Sequence, residues 1–305
     1  MGKDLTILES CVLCEEKKFK NIYKTYDRHY GIKGEFNIDK CENCGLVFLN
    51  PMPSEEYLTR LYPKTYYAYQ DFYDKKSFLK SFYRKYIVKI GTLDPHFDSP
   101  GKILDVGCGS GKFLYVMKKK NWEVYGVEVN ENAAKLGNEL EQLNIHLGDL
   151  LSSKYDSDFF DYIRSNHSFE HMTNPEEVLD EIHRILKKDG KLLIGVPNID
   201  SFNGRFYKKY WWYLGAPVHT FNYSVATLSK MLEKHGFVVE KVSYNGDYSG
   251  VLGSFQIFLN RKNGKMSKQG FFINNILFQA ITHRIAKMLN LFKTGDAMEI
   301  ICSKK

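Results

Sequence analysis

The chain has 305 residues, of which 43% are hydrophobic, and carries a formal net charge of +7 at pH 7. This size and apolar content predict a sizeable core and more than one domain, while the mildly basic charge alone does not indicate nucleic-acid binding. No run of about 18 apolar residues occurs, which argues against a transmembrane helix. Residues 1–10 include Lys3, Asp4 and Glu9 and no apolar core, so we expect no secretory signal and a cytoplasmic protein.

Two C-x-x-C pairs lie near the start of the chain. Their cysteines are Cys11, Cys14, Cys41 and Cys44. Two such pairs place four thiolates within tetrahedral reach of one ion and leave no open coordination position, so we expect a structural Zn²⁺. Iron and disulfides are the alternatives, and the lack of a signal argues for a reducing compartment. Residues 1–50 are therefore predicted to form a zinc-binding unit, with strands near 19–23 and 46–49.

A helical linker or lid is predicted over residues 51–98. Pro51 and Pro53 break the chain, and Ser54 with the two acids after it resembles a helix start. A later helix over 76–90 is predicted to stop at Gly91.

A glycine-rich loop opens the predicted catalytic domain. Residues 103–111 read I-L-D-V-G-C-G-S-G and lead into a predicted helix. Such a turn leaves room for a ligand to lie on bare backbone. A dinucleotide fingerprint would need glycine where Lys112 stands, and an acid before the loop suits a cationic ligand better than a pyrophosphate. The acid and the three alternating glycines are Asp105, Gly107, Gly109 and Gly111.

This loop resembles the cofactor loop of class I S-adenosylmethionine-dependent methyltransferases. The resemblance spans residues 99–248 together with a last strand near 297–304. It implies S-adenosyl-L-methionine as the cofactor and a methyltransferase domain over 99–305. The N-terminal pattern C-x-x-C-G-L-V-F-L-N-P, followed by P-S-E-E, also resembles bacterial methyltransferases in which a zinc-ribbon-like unit precedes the catalytic domain, often in sugar or surface-glycan pathways.

Strands and helices alternate after the loop. This alternation predicts an α/β fold with a doubly wound, mostly parallel sheet, which the resemblance extends to seven Rossmann-like strands. The helix near 174–186 places Val178, Ile182 and Ile185 on one face. The other predicted strands and helix cover 124–129, 145–147, 159–164, 191–196, 224–235 and 237–244.

Polar residues follow several of these strands, where ligands bind in such folds. Glu128 has the spacing expected of a carboxylate that accepts both ribose hydroxyls. The resemblance implies that Asp149 holds the adenine amino group and that Asn166 belongs to the cofactor site. As alternatives, Asp105 caps a turn, Glu128 is a solvated strand-end acid, and Asp149 is an ordinary turn residue.

Three histidines are candidates for a general base that takes a proton from an acceptor hydroxyl. His167 directly follows the fourth strand, at the methyl end of the cofactor by the resemblance, and ranks first. His219 follows the aromatic segment 201–213, which lines the acceptor site in similar enzymes. His171 ranks third, because it can instead fix a turn with Glu170. The alternative for segment 201–213 is a loop packed by its own aromatic residues.

A helical insert is predicted over about 249–293. Within residues 271–292, one helical stripe is apolar and the opposite side polar. Three roles remain open for this helix: facing the core, contacting a second copy in a homodimer, or lying on a membrane surface. The stripe contains Ile273, Leu277, Ile281, Ile285, Met288 and Phe292.

We expect a methyltransferase that acts on a small-molecule acceptor, foremost a hydroxyl of a sugar, nucleotide-sugar or glycan. Carbon methylation of a keto-sugar and a phenolic acceptor are alternatives within that class. An RNA methyltransferase that grips its substrate through the zinc unit is the second hypothesis, although residues 1–50 lack a concentrated basic patch with interleaved aromatics. A non-catalytic cofactor-binding scaffold is the third.

Overall fold

A computed structural model describes residues 4–61, 99–262 and 270–305. The predicted helix over 76–90, its stop at Gly91 and most of the predicted linker lie outside these residues. The strands are β1 Leu5–Thr6, β2 Phe19–Thr25, β3 Phe36–Cys41, β4 Val47–Leu49, β5 Met52–Pro53, β6 Lys102–Val106, β7 Glu123–Glu128, β8 Asn144–Leu147, β9 Phe160–Asn166, β10 Leu186–Pro197, β11 Phe221–Asn222, β12 Phe237–Tyr244 and β13 Ala297–Lys304. The α-helices are α1 Glu55–Leu61, α2 Lys112–Lys119, α3 Glu131–Glu141, α4 Pro175–Ile185, α5 Phe202–Tyr207, α6 Val225–Lys234, α7 Ser254–Asn260, α8 Phe271–Asn274 and α9 Ile276–Leu291.

The central sheet has seven strands in the order β12-β13-β10-β9-β6-β7-β8. Strands β10, β9, β6, β7 and β8 run parallel, whereas β13 pairs antiparallel with both β10 and β12. The α/β fold with a large mixed sheet is therefore confirmed. Parallel strands are buried on both faces, which explains why Ile103, Leu104, Ile163 and Ile194 are fully buried.

The helices between the strands form where amphipathic patterns and capping residues coincide. Helix α4 buries Val178, Ile182 and Ile185, as its periodicity predicts. Helix α6 starts at a capping box in which Ser224 and Thr227 satisfy each other's backbone N–H groups.

The first fifty residues share structure with the catalytic region. Strand β11 pairs with β4, so residues 221–222 complete a four-stranded sheet in the order β11-β4-β3-β2. Phe48 of β4 lies in the same buried cluster as Phe221 and Leu228. The backbone N–H of Leu49 also donates to the carbonyl of Thr220 at 2.8 Å. The domain boundary at residue 50 stays a prediction, but the two parts are packed together.

The insert departs from prediction in two ways. The single helix expected over 271–292 is interrupted at Asn275, whose extended backbone ends α8 and whose side chain caps α9. The core-facing alternative is wrong for α9, because its apolar stripe is exposed and Thr282, His283 and Ala286 are buried instead. Ile273, on the short helix α8, is the stripe residue that is buried.

Candidate active site

The glycine loop turns between β6 and α2 through three left-handed residues. Gly107, Gly109 and Gly111 have φ angles of 76°, 57° and 78°, which L side chains rarely adopt. A Cβ on Gly107 would lie 2.0 Å from the Oγ of Ser168, and one on Gly111 would lie 2.4 Å from a methyl group of Leu143. Glycine is thus required here by backbone conformation and by close packing together.

Glu128 ties this loop to the end of β7. Its buried carboxylate accepts hydrogen bonds from the backbone N–H groups of Gly109 and Asn130, each at 2.8 Å. Burial raises the pKa of Glu128, although these backbone hydrogen bonds oppose the rise. The acid is therefore built into the loop and is not a solvated strand end. Its predicted contact with ribose hydroxyls stays a prediction.

Asp105 has a cationic partner from the protein itself. Its buried carboxylate accepts a hydrogen bond from Nη1 of Arg164 at 3.0 Å, and the Arg164 guanidinium lies 4.0 Å from the centre of the Phe113 ring. Burial raises the pKa of Asp105 in spite of this pairing. The sequence analysis does not predict a role for Arg164. The one hint of it in the sequence is a single arginine at the end of the predicted apolar strand 159–164.

The remaining predicted cofactor residues lie at neighbouring strand ends. Asp149 is exposed and accepts from the backbone N–H of Ser152 at 2.7 Å, as a turn residue does. Gly148 donates to the carbonyl of Glu128 at 3.0 Å, which brings Asp149 close to the end of β7. Asn166 ends β9, and its buried Oδ1 has no hydrogen-bond partner among the described residues. An unsatisfied acceptor at the edge where ligands bind fits a site for a polar cofactor.

The three predicted histidines converge on Glu170. Nδ1 of His167 lies 3.5 Å from Oε1 of Glu170, and Nε2 of His171 lies 4.0 Å from the same oxygen. Ligand atoms of Glu170, His171 and His219 all lie within 4.8 Å of one another. The sequence alone predicts Glu170 only as a turn partner, because a carboxylate three residues from a histidine is common on any helical turn.

Backbone contacts hold this histidine cluster in place. Nδ1 of His171 pairs with the carbonyl of Val218 at 2.8 Å, and Nδ1 of His219 with that of Tyr213 at 2.9 Å. These bonds place the ring proton on Nδ1 and direct the Nε2 lone pair away from the backbone. His167 has a left-handed backbone with φ 54°, and its N–H donates to the carbonyl of Gly195. Such a conformation is uncommon in a non-glycine residue.

The pKa values of His167 and His219 are shifted in opposite directions. Burial opposes charge on Glu170, but its hydrogen bond with His167 and the other nearby histidines lower its pKa to about 2. Burial and the neighbouring His171 lower the pKa of His219 to about 3, so His219 stays neutral. Burial also acts to lower the pKa of His167, but Glu170 outweighs it and the pKa is raised. His167 is thus the strongest base of this pair, and its ring remains 35% exposed.

The aromatic segment 201–213 lies against this cluster. The ring of Tyr213 stacks on that of His167, with centroids 6.3 Å apart and planes inclined by 21°. Asp296, just before β13, anchors the segment by accepting from side chains of Ser201, Asn203 and Trp211 at 2.7–3.0 Å. This anchor was missed from the sequence because its partners lie far away along the chain.

The four N-terminal cysteines form a close cluster. Their sulphur atoms all lie within 4.8 Å of one another, with Cys11–Cys44 at 3.5 Å and Cys14–Cys41 at 3.6 Å. Tetrahedral zinc–thiolate bonds of about 2.3 Å would separate sulphurs by roughly 3.8 Å, so the geometry fits Zn²⁺. Burial raises the pKa of Cys44 to about 11, and a bound cation would favour its thiolate. The identity of the metal stays a prediction.

Comparison with known proteins assigns the catalytic region. A family model described as "Methyltransferase domain" matches residues 76–242, which is more than half of the chain. The chain belongs to this family. Its matched segment is an S-adenosylmethionine-dependent methyltransferase domain, in agreement with the resemblance of the glycine loop.

The methyltransferase domain also has relatives among individual proteins. It is similar to an uncharacterised protein of Methanocaldococcus jannaschii, with 29% identity over 109 residues, 36% of this chain and 51% of the relative. An uncharacterised methyltransferase of Staphylococcus carnosus is 33% identical over 97 residues, 31% of this chain and 46% of the relative. The chain thus spans about half the length of these relatives. A solved methyltransferase from Archaeoglobus fulgidus covers 74% of this chain, and 93% of its own, with 23% identity and a TM-score of 0.48.

Among the described residues, no helix combines the length and the apolar content needed to cross a membrane.

Proposed function

We propose that this protein transfers a methyl group from S-adenosylmethionine to a hydroxyl of a sugar, nucleotide-sugar or glycan, with His167 as the general base. The observation that carries this proposal is the convergence of His167, His171 and His219 on the buried carboxylate of Glu170. These groups lie at the carboxyl edge of the sheet, where ligands bind in such folds. In this site His167 is the base and Glu170 orients it, which suits removal of a proton from an acceptor.

The cofactor residues fit the group that the family requires. The glycine loop exposes backbone groups, and Glu128 accepts a hydrogen bond from the loop residue Gly109. Among the described residues, the buried Oδ1 of Asn166 has no hydrogen-bond donor, so a polar group of the cofactor could supply one. When bound, S-adenosylmethionine supplies an electrophilic methyl group on a sulfonium. Glu128 and Asp149 would hold its ribose and adenine, and the loop would position its amino-acid part near Asp105.

The role of His167 follows from its contacts. Nδ1 faces Glu170, which leaves Nε2 to take the proton of the acceptor hydroxyl as its oxygen forms a bond to the methyl carbon. Bound S-adenosylmethionine would supply this methyl group, and the electron pair of the cleaved carbon–sulphur bond would go to the sulphur of S-adenosylhomocysteine. Glu170 stabilises the imidazolium that results, and the proton is then released to water.

A carbohydrate acceptor suits the surroundings of His167. Tyr213 presents a ring beside the base, and its hydroxyl donates to Asp247 at 3.2 Å, so an aromatic face and a carboxylate lie together. Sites with a few fixed polar groups among aromatic walls orient small polar ligands.

The test is formation of S-adenosylhomocysteine with a panel of nucleotide-sugars. We expect turnover with at least one member and a loss of about 100-fold or more in His167→Ala, with S-adenosylmethionine affinity retained. His183→Ala, which changes a histidine in the last turn of helix α4, is the matched control. The proposal would be contradicted if the protein methylated RNA but none of the nucleotide-sugars. Full activity of His167→Ala would contradict the role of His167 as base.

A further inference from the structure

Helix α9 presents its apolar face to solvent. Leu277 is 70% exposed, Ile281 58%, Met288 49% and Leu291 83%, whereas Thr282, His283 and Ala286 on the opposite side are buried. Asn290 belongs to the inner side as well, and its Nδ2 donates to the carbonyl of Gly246 at 2.9 Å. The inner side of α9 is therefore polar and anchored to the fold through Asn290, and its apolar side faces outward. We call this face, Leu277, Ile281, Ile285, Met288, Leu291 and Phe292, the α9 surface.

Further exposed aromatic residues flank the end of the α9 surface. The backbone N–H of Phe202 donates to the carbonyl of Thr294 at 3.0 Å, two residues beyond Phe292. Phe202 and Phe206 are 53% and 67% exposed, and their rings stack at 6.0 Å. Exposed apolar side chains grouped in this way are typical of an interaction site.

The charge of the surrounding sequence is entirely positive. Between Asp247 and Asp296 the chain contains no Asp or Glu. On α9 itself, Arg284 and Lys287 are exposed beside the apolar residues, and Lys293 is exposed just after the helix. The Lys and Arg residues of this interval are Arg261, Lys262, Lys265, Lys268, Arg284, Lys287 and Lys293.

We propose that the α9 surface docks on a bilayer that contains anionic phospholipids. An apolar helical face flanked by Lys and Arg and free of acids is complementary to a negatively charged interface, where the apolar side chains enter the acyl boundary and the cations meet phosphates. A second copy of the chain fits less well, because a two-fold contact would bring together two copies of the same positively charged surface. This inference goes beyond the proposed acceptor and does not depend on it.

Vesicle sedimentation of the 305-residue chain tests this docking. We expect binding to vesicles of equal parts phosphatidylcholine and phosphatidylglycerol, weaker binding to phosphatidylcholine alone, and loss of binding at high salt. Ile281→Ser combined with Met288→Ser should weaken partitioning about tenfold or more, because both side chains are exposed and their loss removes apolar contact with lipid. Arg284→Glu combined with Lys287→Glu should abolish the preference for phosphatidylglycerol.

Val116→Ser is the matched control, since Val116 is 43% exposed on helix α2 and lies away from the α9 surface in sequence. It should bind vesicles as the unchanged protein does. Light scattering in the absence of lipid should give a particle mass that the Ile281→Ser, Met288→Ser variant leaves unchanged. The proposal is overturned if the protein does not bind vesicles, or if neither double variant changes its binding. It is also overturned if the unchanged protein is a dimer that the Ile281→Ser, Met288→Ser variant dissociates.

Discussion

At the residue scale, Glu128 links the cofactor loop to the second parallel strand. Because its carboxylate accepts from Gly109 and Asn130, Glu128→Ala removes a buried acceptor and leaves two backbone donors unpaired. We expect S-adenosylmethionine affinity to fall by roughly 10- to 100-fold, because unpaired buried groups cost about 1–3 kcal/mol of binding free energy. The protein should remain folded. Calorimetric titration measures the affinity and thermal melting the fold. Glu131→Ala, an exposed acid at the start of α3, should leave both unchanged. Unchanged affinity in Glu128→Ala would remove Glu128 from the site.

The pair His167 and Glu170 makes a prediction about pH. A general base works in its neutral form, so turnover should rise with pH through a pKa above the ordinary 6.5 of histidine, because Glu170 raises the pKa of His167. In Glu170→Gln the carboxylate charge is lost and burial dominates, so the acidic limb of the rate profile should move to lower pH. The plateau rate should also fall, because the base is weaker and less well positioned. His171→Gln is the comparison, because Nε2 of His171 lies 4.0 Å from Glu170, farther than Nδ1 of His167 at 3.5 Å, so the acidic limb should move less than in Glu170→Gln. An unshifted profile in a folded Glu170→Gln protein would exclude Glu170 as the positioning residue.

At the element scale, Asp296 holds the aromatic segment 201–213 beside the histidines. Its side chain is buried and accepts from Ser201, Asn203 and Trp211. Asp296→Ala should destabilise the protein by about 3 kcal/mol or more, because three buried donors lose their acceptor. Chemical denaturation measures this change. Asp200→Ala, which removes an exposed acid paired with Arg205 at 3.7 Å, should change stability by less than about 0.5 kcal/mol. Similar losses in the two variants would contradict the anchoring role.

At the scale of the whole molecule, the cysteine cluster supports the catalytic region through a shared sheet. Strand β4 pairs with β11, and Thr220 beside β11 donates to the carbonyl of Glu170, so the N-terminal unit is connected to the histidine cluster. Nε2 of His29 also lies 2.8 Å from the carbonyl of Trp212. Loss of metal should therefore lower the stability of the catalytic region and not only that of residues 1–50.

Cys44→Ser should release the metal and lower the melting temperature of the whole chain in one transition, because the two parts share buried residues. Elemental analysis and calorimetry provide the two readouts. Cys108→Ser, which changes a cysteine outside the cluster, should retain one metal ion per chain. A Cys44→Ser protein with a full metal complement would exclude the four-thiolate site, and two separate melting transitions would contradict the coupling.

The sequence alone determined the alternation of strands and helices, the glycine loop and the cysteine pairs. These features are local, since Gly107 needs its backbone conformation and α4 needs its periodicity wherever they lie in space. Only the tertiary structure decided which distant groups meet. It brought His219 to Glu170, Arg164 to Asp105 and Trp211 to Asp296, because parallel strands collect their carboxyl ends at one edge. It also turned the apolar stripe of α9 outward, since periodicity gives a helix two faces and only packing decides which of them is buried.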